Sequence, residues 1–441
     1  MPSVHPEPRH TLGTDVLELE IEKIVPGGLG LARHAGQVAF VPNTAPGDRI
    51  RGHVTAIHRH HLTVQCIEIL SSGPDTVDPG CAVFGQCGGC HMRRLSASLQ
   101  DRIKTDFVRE GLSRIAHLDV TDSLRPLIPA LERDGYRRRV SFKVQWRDLR
   151  VLLGFYAAAS NTLVDIEECP ILDPRLAALM PPLRQLIAAL SIREQIISVD
   201  MVVGDIGMGM IFSLTRSCPA TDKLSIRRFA DAYHLQQVWL REGRNRVDIV
   251  LVMHGPLAYT ADGFEFYFHP GDFIQGHATQ NRRMIEEVLW LGGEGKSAWD
   301  LFCGVGNFTL PLSRRFKLVK GVEGHARAVQ LAKKNLQRNQ VTNVSIQRED
   351  LFRETKITRL QGMDQVDLVL LDPPRSGADP LCRLLAHHGP ERMIYLSCDP
   401  ATFARDAALL VLGGYGLESV QPLDLFPQTK HVEVVALFRR T

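Results

Sequence analysis

Leu17, Leu19 and Ile21 alternate with Glu18, Glu20 and Glu22, the period-two pattern of a strand with one buried face. Turn signals follow at Gly27-Gly28 and at Pro46-Gly47-Asp48, and the pattern predicts further strands over residues 38–41, 49–54 and 62–69. Several short strands with regular turns predict a small closed barrel of OB-like type over residues 12–70. From residue 71 to 265 the pattern changes. Leu95, Leu99, Ile103, Phe107 and Leu112 recur at helical spacing, and strands are predicted over 140–146 and 247–253. This stretch reads as a central α+β domain. From 266 to 441, apolar strands at 297–302, 318–323, 343–347, 366–372, 392–398 and 432–438 alternate with helical patterns such as 325–339 and 403–412. Alternation of this kind predicts an α/β domain, Rossmann-like, with a largely parallel sheet and ligands at the carboxyl ends of its strands.

The chain has 441 residues, enough for about three domains. Apolar residues make up 44% and charged residues 23%, the balance of an ordinary globular protein. No apolar run reaches the roughly eighteen residues of a membrane span, and the first ten residues lack the apolar stretch of a secretory signal. A cytoplasmic location is therefore the expectation. A net charge of +3 does not announce nucleic-acid binding. Local charge does more: residues 91–150 hold fourteen Lys or Arg against eight Asp or Glu. Arg137-Arg138-Arg139 leads a strand with Val140, Phe142, Val144 and Trp146 on one face and Arg139, Ser141, Lys143 and Gln145 on the other. Such a face suits a phosphate backbone, and equally a solvated sheet surface.

Three motifs at predicted strand ends carry chemistry. In Asp300-Leu-Phe-Cys-Gly-Val-Gly-Asn-Phe308, Gly304 and Gly306 stand where a strand turns into a helix. Glycine there allows a tight turn and close approach of a ligand. Glu323 ends the next strand, where a carboxylate can accept hydrogen bonds from both ribose hydroxyls, and Asp350 follows the third. The third glycine of the dinucleotide fingerprint is missing, and the form fits an S-adenosylmethionine site better. Leu371-Asp372-Pro373-Pro374-Arg375 ends the fourth strand; Asp-Pro-Pro by itself also suits amino-group methyltransferases. Ser397-Cys398-Asp399-Pro400 ends the fifth. C5 of uracil is a poor nucleophile until a thiolate adds to C6, and a base must then remove the C5 proton so that the thiol can leave. Cys398 is placed for the first role. Glu433, which interrupts the apolar strand Val432-Glu-Val-Val-Ala-Leu-Phe438, is the candidate base, ahead of His431.

The nine cysteines include Cys81, Cys87 and Cys90, three within ten residues and separated by glycines, with Cys169 far downstream before Pro170. In a reducing compartment a cluster of this kind reads as a metal site. Four thiolates suit zinc and iron–sulfur clusters alike.

At these residues the sequence resembles the bacterial RNA uracil-C5 methyltransferases that use S-adenosylmethionine. The resemblance covers nearly the whole chain, and the Asp-Pro-Pro-Arg and Ser-Cys-Asp-Pro motifs carry most of it. It implies that the N-terminal barrel is a TRAM domain that binds RNA. It implies a [4Fe-4S] cluster on Cys81, Cys87, Cys90 and Cys169. It implies Cys398 as nucleophile and Glu433 as base. Phe302, Asn307, Glu323, Asp350 and Asp372 match the family's cofactor positions, as does Gln275 in Phe273-Ile-Gln-Gly-His277, where the family usually has Val-Asn after the glutamine. The combination of barrel, cluster and catalytic domain resembles the branch that modifies 23S ribosomal RNA. Another rRNA or tRNA uridine is the alternative substrate. The expected domains are a TRAM-like barrel over 12–70, a central domain with the cluster and a basic RNA-binding face over 71–265, and a methyltransferase domain over 266–441. The expected partner is 23S rRNA, with no membrane, no obligate protein partner and a monomeric state. Two rival classes are an RNA N-methyltransferase, whose activity would survive loss of Cys398, and a non-catalytic RNA-binding metalloprotein.

Overall fold

The computed structural model describes residues 16–243, 247–353 and 362–441. The chain forms two compact units: one of Met1–Phe107, Ala157–Asn161 and Pro427–Lys430, the other of Val108–Tyr156, Thr162–Phe426 and His431–Thr441.

The first unit carries six strands: β1 (Val16–Glu20), β2 (Lys23–Val25), β3 (Leu29–His34), β4 (Gln37–Pro42), β5 (Arg49–Ile57) and β6 (His61–Ser71). They form one sheet in the order β1-β5-β6-β4-β3-β2. Leu17 and Leu19 are buried while Val16, Glu18 and Glu20 are exposed, so the alternation read from the sequence is the packing pattern. β2 and β3 lie in a stretch where glycine and charge broke the alternation. The inward residues close a core around Ala32, Val41, Ile50, Val54, Leu62 and Val64. Helix α1 (Ala97–Ile115) follows. Its residues Leu99, Ile103 and Phe107 pack with Ile24, Ala45, Met92 and Leu95, the helical spacing of the sequence made physical.

The second unit holds β7 (Arg139–Arg147), β8 (Arg150–Tyr156), β9 (Leu163–Asp165), α2 (Pro174–Ala177), α3 (Met180–Ala189), β10 (Ile196–Val203), β11 (Met208–Leu214), α4 (Ala220–Ala232), β12 (Gln237–Glu242) and β13 (Val247–Met253). Its seven strands are ordered β13-β12-β11-β10-β7-β8-β9. On β7, Val140, Phe142 and Val144 are buried while Ser141 and Gln145 are exposed, as the sequence pattern predicts. A hairpin of β14 (Leu257–Ala261) and β15 (Phe264–Phe268) follows, then α5 (Ala278–Gly292).

A third sheet is built from β16 (Gly295–Leu301), β17 (Phe316–Glu323), β18 (Val344–Arg348), β19 (Leu368–Leu371), β20 (Arg392–Ser397), β21 (Tyr415–Leu423) and β22 (Glu433–Arg440). Helices α6 (Thr309–Leu312), α7 (Ala326–Arg338), α8 (Asp379–His388) and α9 (Pro400–Leu412) connect them. The order is β18-β17-β16-β19-β20-β22-β21, parallel except for β22, which runs against both its neighbours. β21 was not anticipated, because Gly416, Glu418 and Pro422 spoil its pattern. The sheet is buried on both faces. On β19, Leu368 and Leu370 enter one core while Val369 and Leu371 enter the other, so the strand reads as a continuous apolar run. The order reverses beside β16, which pairs with β17 on one side and β19 on the other and opens a crevice at the carboxyl ends.

Two asparagines tie the hairpin to this sheet's helical layer. Asn339 Oδ1 accepts from the Glu265 N–H at 3.0 Å and its Nδ2 donates to the Glu265 carbonyl at 2.8 Å. One helical turn earlier, Asn335 does the same for Tyr267 at 2.9 and 3.2 Å and also donates to the Val305 carbonyl at 3.1 Å. The two amides thus act as a neighbouring strand for the edge of β15. Asn335 is fully buried. Replacing it by leucine leaves buried backbone groups unpaired, and we expect Asn335→Leu to cost about 2–4 kcal/mol in denaturant unfolding. A loss below about 0.5 kcal/mol would mean that water replaces the amide.

Candidate active site

The cofactor-type loop begins where β16 ends. Phe302 has φ 67°, Gly304 57° and Gly306 99°, so the chain turns through the left-handed region three times in five residues. A side chain at Gly306 would also put its Cβ 2.6 Å from Leu310 Cδ1, which explains the glycine. The Gly304 N–H donates to Glu323 Oε2 at 3.1 Å, and the His325 N–H to Glu323 Oε1 at 2.6 Å. One lone pair on each oxygen is held by the backbone. The carboxylate at the end of β17 is therefore pre-oriented, with acceptor capacity left for a pair of hydroxyls.

Asn307 is locked from two sides. Tyr259 Oη donates to Asn307 Oδ1 at 2.9 Å, and Asn281 and Asn307 exchange amide hydrogen bonds at 3.0 Å each. The Phe302 ring packs at 5.5 Å from Phe352. Asp350 accepts from the Phe352 N–H at 3.1 Å and pairs with Arg353 at 3.1 Å. Gln275 is half-buried in a cleft lined also by Arg138, Tyr259, Ile274 and Asn281. Gly276 and His277 follow it. Through its N-cap position His277 accepts from the Gln280 N–H at Nδ1, and its Nε2 lies 3.0 Å from the Glu132 carbonyl. Its ring stacks on Tyr136 at 4.9 Å, and burial lowers its pKa. A neutral imidazole with its proton on Nε2 thus starts helix α5.

The reactive groups sit at the adjacent strand ends. β20 pairs with β22 in a register that sets Ser397 opposite Val434. One step further along, the same register sets Cys398 opposite Glu433. Glu433 is buried, and it pairs with Leu423 of β21 on its other side. Asp399 caps α9, accepting from the Ala401 and Thr402 N–H groups at 3.0 Å each. That cap fixes the chain leaving Cys398.

Burial dominates the electrostatics. It pushes Glu433 up to about 8, with Asp372 adding repulsion and the Arg375 guanidinium pulling back. Burial alone pushes Asp372 up to about 7. The Cys398 thiol is pushed up to about 12 by burial and then by Glu433, while Arg375 opposes the rise. Asp300, fully buried below the loop, is raised to about 8 and takes the Thr309 hydroxyl on Oδ2. Arg375, part of a sequence motif but given no role there, is the cation facing this group; its Nη2 lies 3.4 Å from His431 Nε2. Tyr259 and Asn281 were also missed, since nothing near them in sequence marks them; Arg138 was read only as part of the arginine run.

The structure therefore brings Glu323 and Gly304 together, Asn307 with Asn281 and Tyr259, and Cys398 with Glu433, Asp372 and Arg375. The cysteine cluster behaves differently. Cys81, Cys87 and Cys90 belong to the first unit and Cys169 to the second; all four are half-buried. The Gly89 N–H donates to Cys87 Sγ at 3.4 Å, a contact suited to a thiolate. Among the described residues, no three His, Cys, Asp or Glu side chains are gathered at metal-binding distance.

Residues 117–441 match the family model described as tRNA (Uracil-5-)-methyltransferase. The chain is 35% identical over 439 residues to the 23S rRNA (uracil(1939)-C(5))-methyltransferase RlmD of Thiobacillus denitrificans, covering 97% of this chain and 99% of that protein. It is 34% identical over 438 residues to the protein of the same name from Klebsiella pneumoniae, covering 98% of each. Among solved structures it is similar to the Pyrococcus abyssi tRNA (uracil-54, C5)-methyltransferase in complex with S-adenosyl-L-homocysteine. There the TM-score is 0.73 and the identity 22%, covering 96% of this chain and all of the other. At that identity the likeness is one of fold.

The Glu433 shift has a consequence for stability. Below about pH 4.5 the carboxyl is neutral in folded and unfolded chains alike. Between there and about 8 only the unfolded chain ionises it, so its favourable contribution falls as pH rises and is lost above its folded pKa. Glu433→Gln cannot ionise. Its melting temperature relative to wild type should rise between about pH 5 and about pH 9. A constant difference would mean that Glu433 titrates as an exposed glutamate.

Proposed function

The chain belongs to the tRNA (uracil-5-)-methyltransferase family, and from that premise we propose the role of each part of its site. The enzyme is an S-adenosylmethionine-dependent RNA methyltransferase that methylates C5 of uracil 1939 in 23S rRNA, the activity named for its full-length relatives. The observation that carries the chemistry is the β20–β22 register, which ends at Ser397 opposite Val434 and so leads to Cys398 and Glu433 at the carboxyl edge of the sheet, with Glu433 acting on the Cys398 thiol.

The residues at that loop fit the cofactor. Glu323 is anchored by two backbone N–H groups with acceptor capacity to spare for the ribose. Phe302, Asn307, Asp350, Asp372 and Gln275 line the remaining positions. The bound cofactor supplies an electrophilic methyl group on a sulfonium. The Cys398 thiol loses its proton to solvent, the thiolate Sγ bonds to C6 of the uracil, and the C5–C6 π electron pair moves towards C5 and O4. C5 takes the methyl group. An ionised Glu433 then accepts the C5 proton, the C5–H electron pair re-forms the C5–C6 double bond, and the C6–S bond breaks with its electron pair leaving on sulfur as the thiolate. The step needs the ionised carboxylate; Arg375 favours that form against burial and Asp372, and a raised pKa makes the anion the stronger base once formed. Arg375 offsets negative charge on both groups. The uridine must leave its stack to reach the pair.

The six-stranded sheet of the first unit acts in this reading as a TRAM domain over 12–70, gripping RNA together with the central domain over 71–265; residues 266–441 perform the transfer. Not all of the arginine run faces RNA, because Arg138 is buried and acidic neighbours Asp200 and Asp272 face Arg139. Cys81, Cys87, Cys90 and Cys169 are the residues that would hold the [4Fe-4S] cluster the resemblance implies, though the described side chains are not gathered at metal-binding distance. Thiolate chemistry and the Gly89 N–H on Cys87 Sγ favour it. Methyl transfer needs no electron, so the cluster shapes the RNA-binding surface. The enzyme works in the cytoplasm as a monomer; no described helix is long and apolar enough to cross a membrane.

Two experiments test this. With 23S rRNA tritiated at uridine C5, wild type should release tritium only with S-adenosylmethionine, and Cys398→Ala should release none. Glu433→Gln should methylate but retain the RNA as a covalent adduct. Methyl incorporation by Cys398→Ala would overturn the mechanism in favour of an N-methyltransferase. For the cluster, folded Cys87→Ser should lose iron and visible absorbance and bind RNA less tightly, with cofactor affinity unchanged. Equal loss of both affinities would remove the RNA-shaping role.

A further inference from the structure

Past the end of β19 the chain turns sharply before α8 begins. The Gly377 N–H donates to the Pro374 carbonyl at 2.8 Å, which closes a four-residue turn with Arg375 at its first corner. Pro374, Arg375 and Ser376 are exposed, so burial of their own side chains does not hold the turn. It is held from α9. Asp406 is fully buried, and its Oδ2 accepts from the Ala378 N–H at 2.7 Å and from the Tyr395 hydroxyl at 2.6 Å. Its Oδ1 takes Arg405 Nε at 2.8 Å and Nη2 at 2.7 Å. Arg405 Nη2 also donates to the Ser376 carbonyl at 2.9 Å. The two side chains therefore hold the backbone groups on either side of Gly377. A Cβ at Gly377, whose φ is 73°, would lie 2.5 Å from both Arg405 Nη2 and Asp406 Oδ2.

Starting one helix does not call for this arrangement. Ala378 is the N-cap of α8 and offers no side-chain cap, where a serine or aspartate at the same position would begin the helix locally. A buried carboxyl paired to an arginine on another helix is a costly substitute. What it adds is a fixed backbone under Arg375. That side chain is long and exposed, so its aim depends on the backbone that carries it. Its Nη2 lies 3.4 Å from His431 Nε2, and its charge favours the ionised forms of Cys398 and Glu433. The other charged groups facing that pair, Asp372 and, at the thiol, Asp399, are anionic and act the opposite way. The balance at the site therefore turns on where Arg375 points.

We propose that Arg405 and Asp406 are positioning residues for the reaction: they fix the Pro374–Gly377 turn from α9, so that Arg375 faces Cys398 and Glu433. This rests on the Cys398 and Glu433 reading above and adds the residues that hold the cation in place. Neither Arg405 nor Asp406 touches the reacting atoms in this account. Their effect passes through the backbone of the turn, from the Ser376 carbonyl and the Ala378 N–H to the guanidinium of Arg375.

The test follows tritium release from 23S rRNA labelled at uridine C5 by the full-length protein, at saturating S-adenosylmethionine, as a function of pH. Wild type should show a limb that rises with pH as the reacting groups ionise. Arg405→Met changes a side chain that is 41% exposed and should fold. It should move that limb up by roughly 0.5–1 pH unit, because a displaced cation no longer favours the ionised forms. Arg405→Lys, with the charge but not the fork, should move it less. Gly377→Ala presses on the same contact from the turn and should move the limb in the same direction with α9 intact. Arg375→Met should move the limb by itself, and adding Arg405→Met should move it no further, because nothing is left to position. An unmoved limb in Arg405→Met or in Gly377→Ala would overturn the proposal. So would a further equal shift in the double variant, or a loss of rate at every pH with no shift, which are the marks of general structural support. If wild type releases no tritium, the uracil-C5 reading itself falls and the positioning role falls with it; release by wild type with unmoved variants removes the positioning role alone.

Discussion

A parallel sheet covered by helices on both faces has nowhere to present polar side chains except at the ends of its strands. In this protein that constraint gathers Glu323, Asp372, Cys398 and Glu433 at one edge, since each is at or just past the end of a strand of this sheet. Ionised groups in so enclosed a place are costly, and the cost appears as raised pKa values at Glu433 and Asp372 and, deeper, at Asp300. Arg375 offsets part of it. The hydrophobic sheet supplies the stability that lets such a cluster persist.

The same burial sets the resting state of the nucleophile. Burial and the Glu433 carboxylate favour the protonated thiol, and Arg375 favours the thiolate. Ionised Glu433 raises the cost of ionising Cys398. A substrate that consumes the thiolate by bonding to it removes that repulsion. The cycle then returns one proton to the pair at the step where the thiolate leaves.

Around this edge the supporting structure is mostly made of amides. Asn335 and Asn339 complete the hairpin edge, and Asn335 also reaches the Val305 carbonyl inside the glycine loop. Asn281, Asn307 and Tyr259 join α5, the loop and the hairpin in one network. His277 starts α5 and holds the Glu132 carbonyl. Each group is neutral, so the network fixes geometry without adding charge to a site already crowded with carboxyls.

Much of this was legible in the chain alone. Period-two alternation located β1 and β7, largely apolar runs located β19, β20 and β22, and helical spacing located α1, α7 and α9, because each pattern is what one-sided or two-sided burial demands. The motifs at Gly304, Asp372 and Cys398 were readable because function there needs particular residue types at a strand end. Other features depended on the tertiary structure. β21 carries Gly, Glu and Pro and becomes a strand only because β22 offers it a partner. Glu433 faces Cys398 through an antiparallel register between strands 35 residues apart in sequence (433 − 398), which no local pattern encodes. Arg138 reads as one of three surface arginines until the fold buries it. Sequence fixes which residues seek burial and which carry chemistry; the pairing of distant strands decides which charges meet, because that depends on register and on enclosure from water.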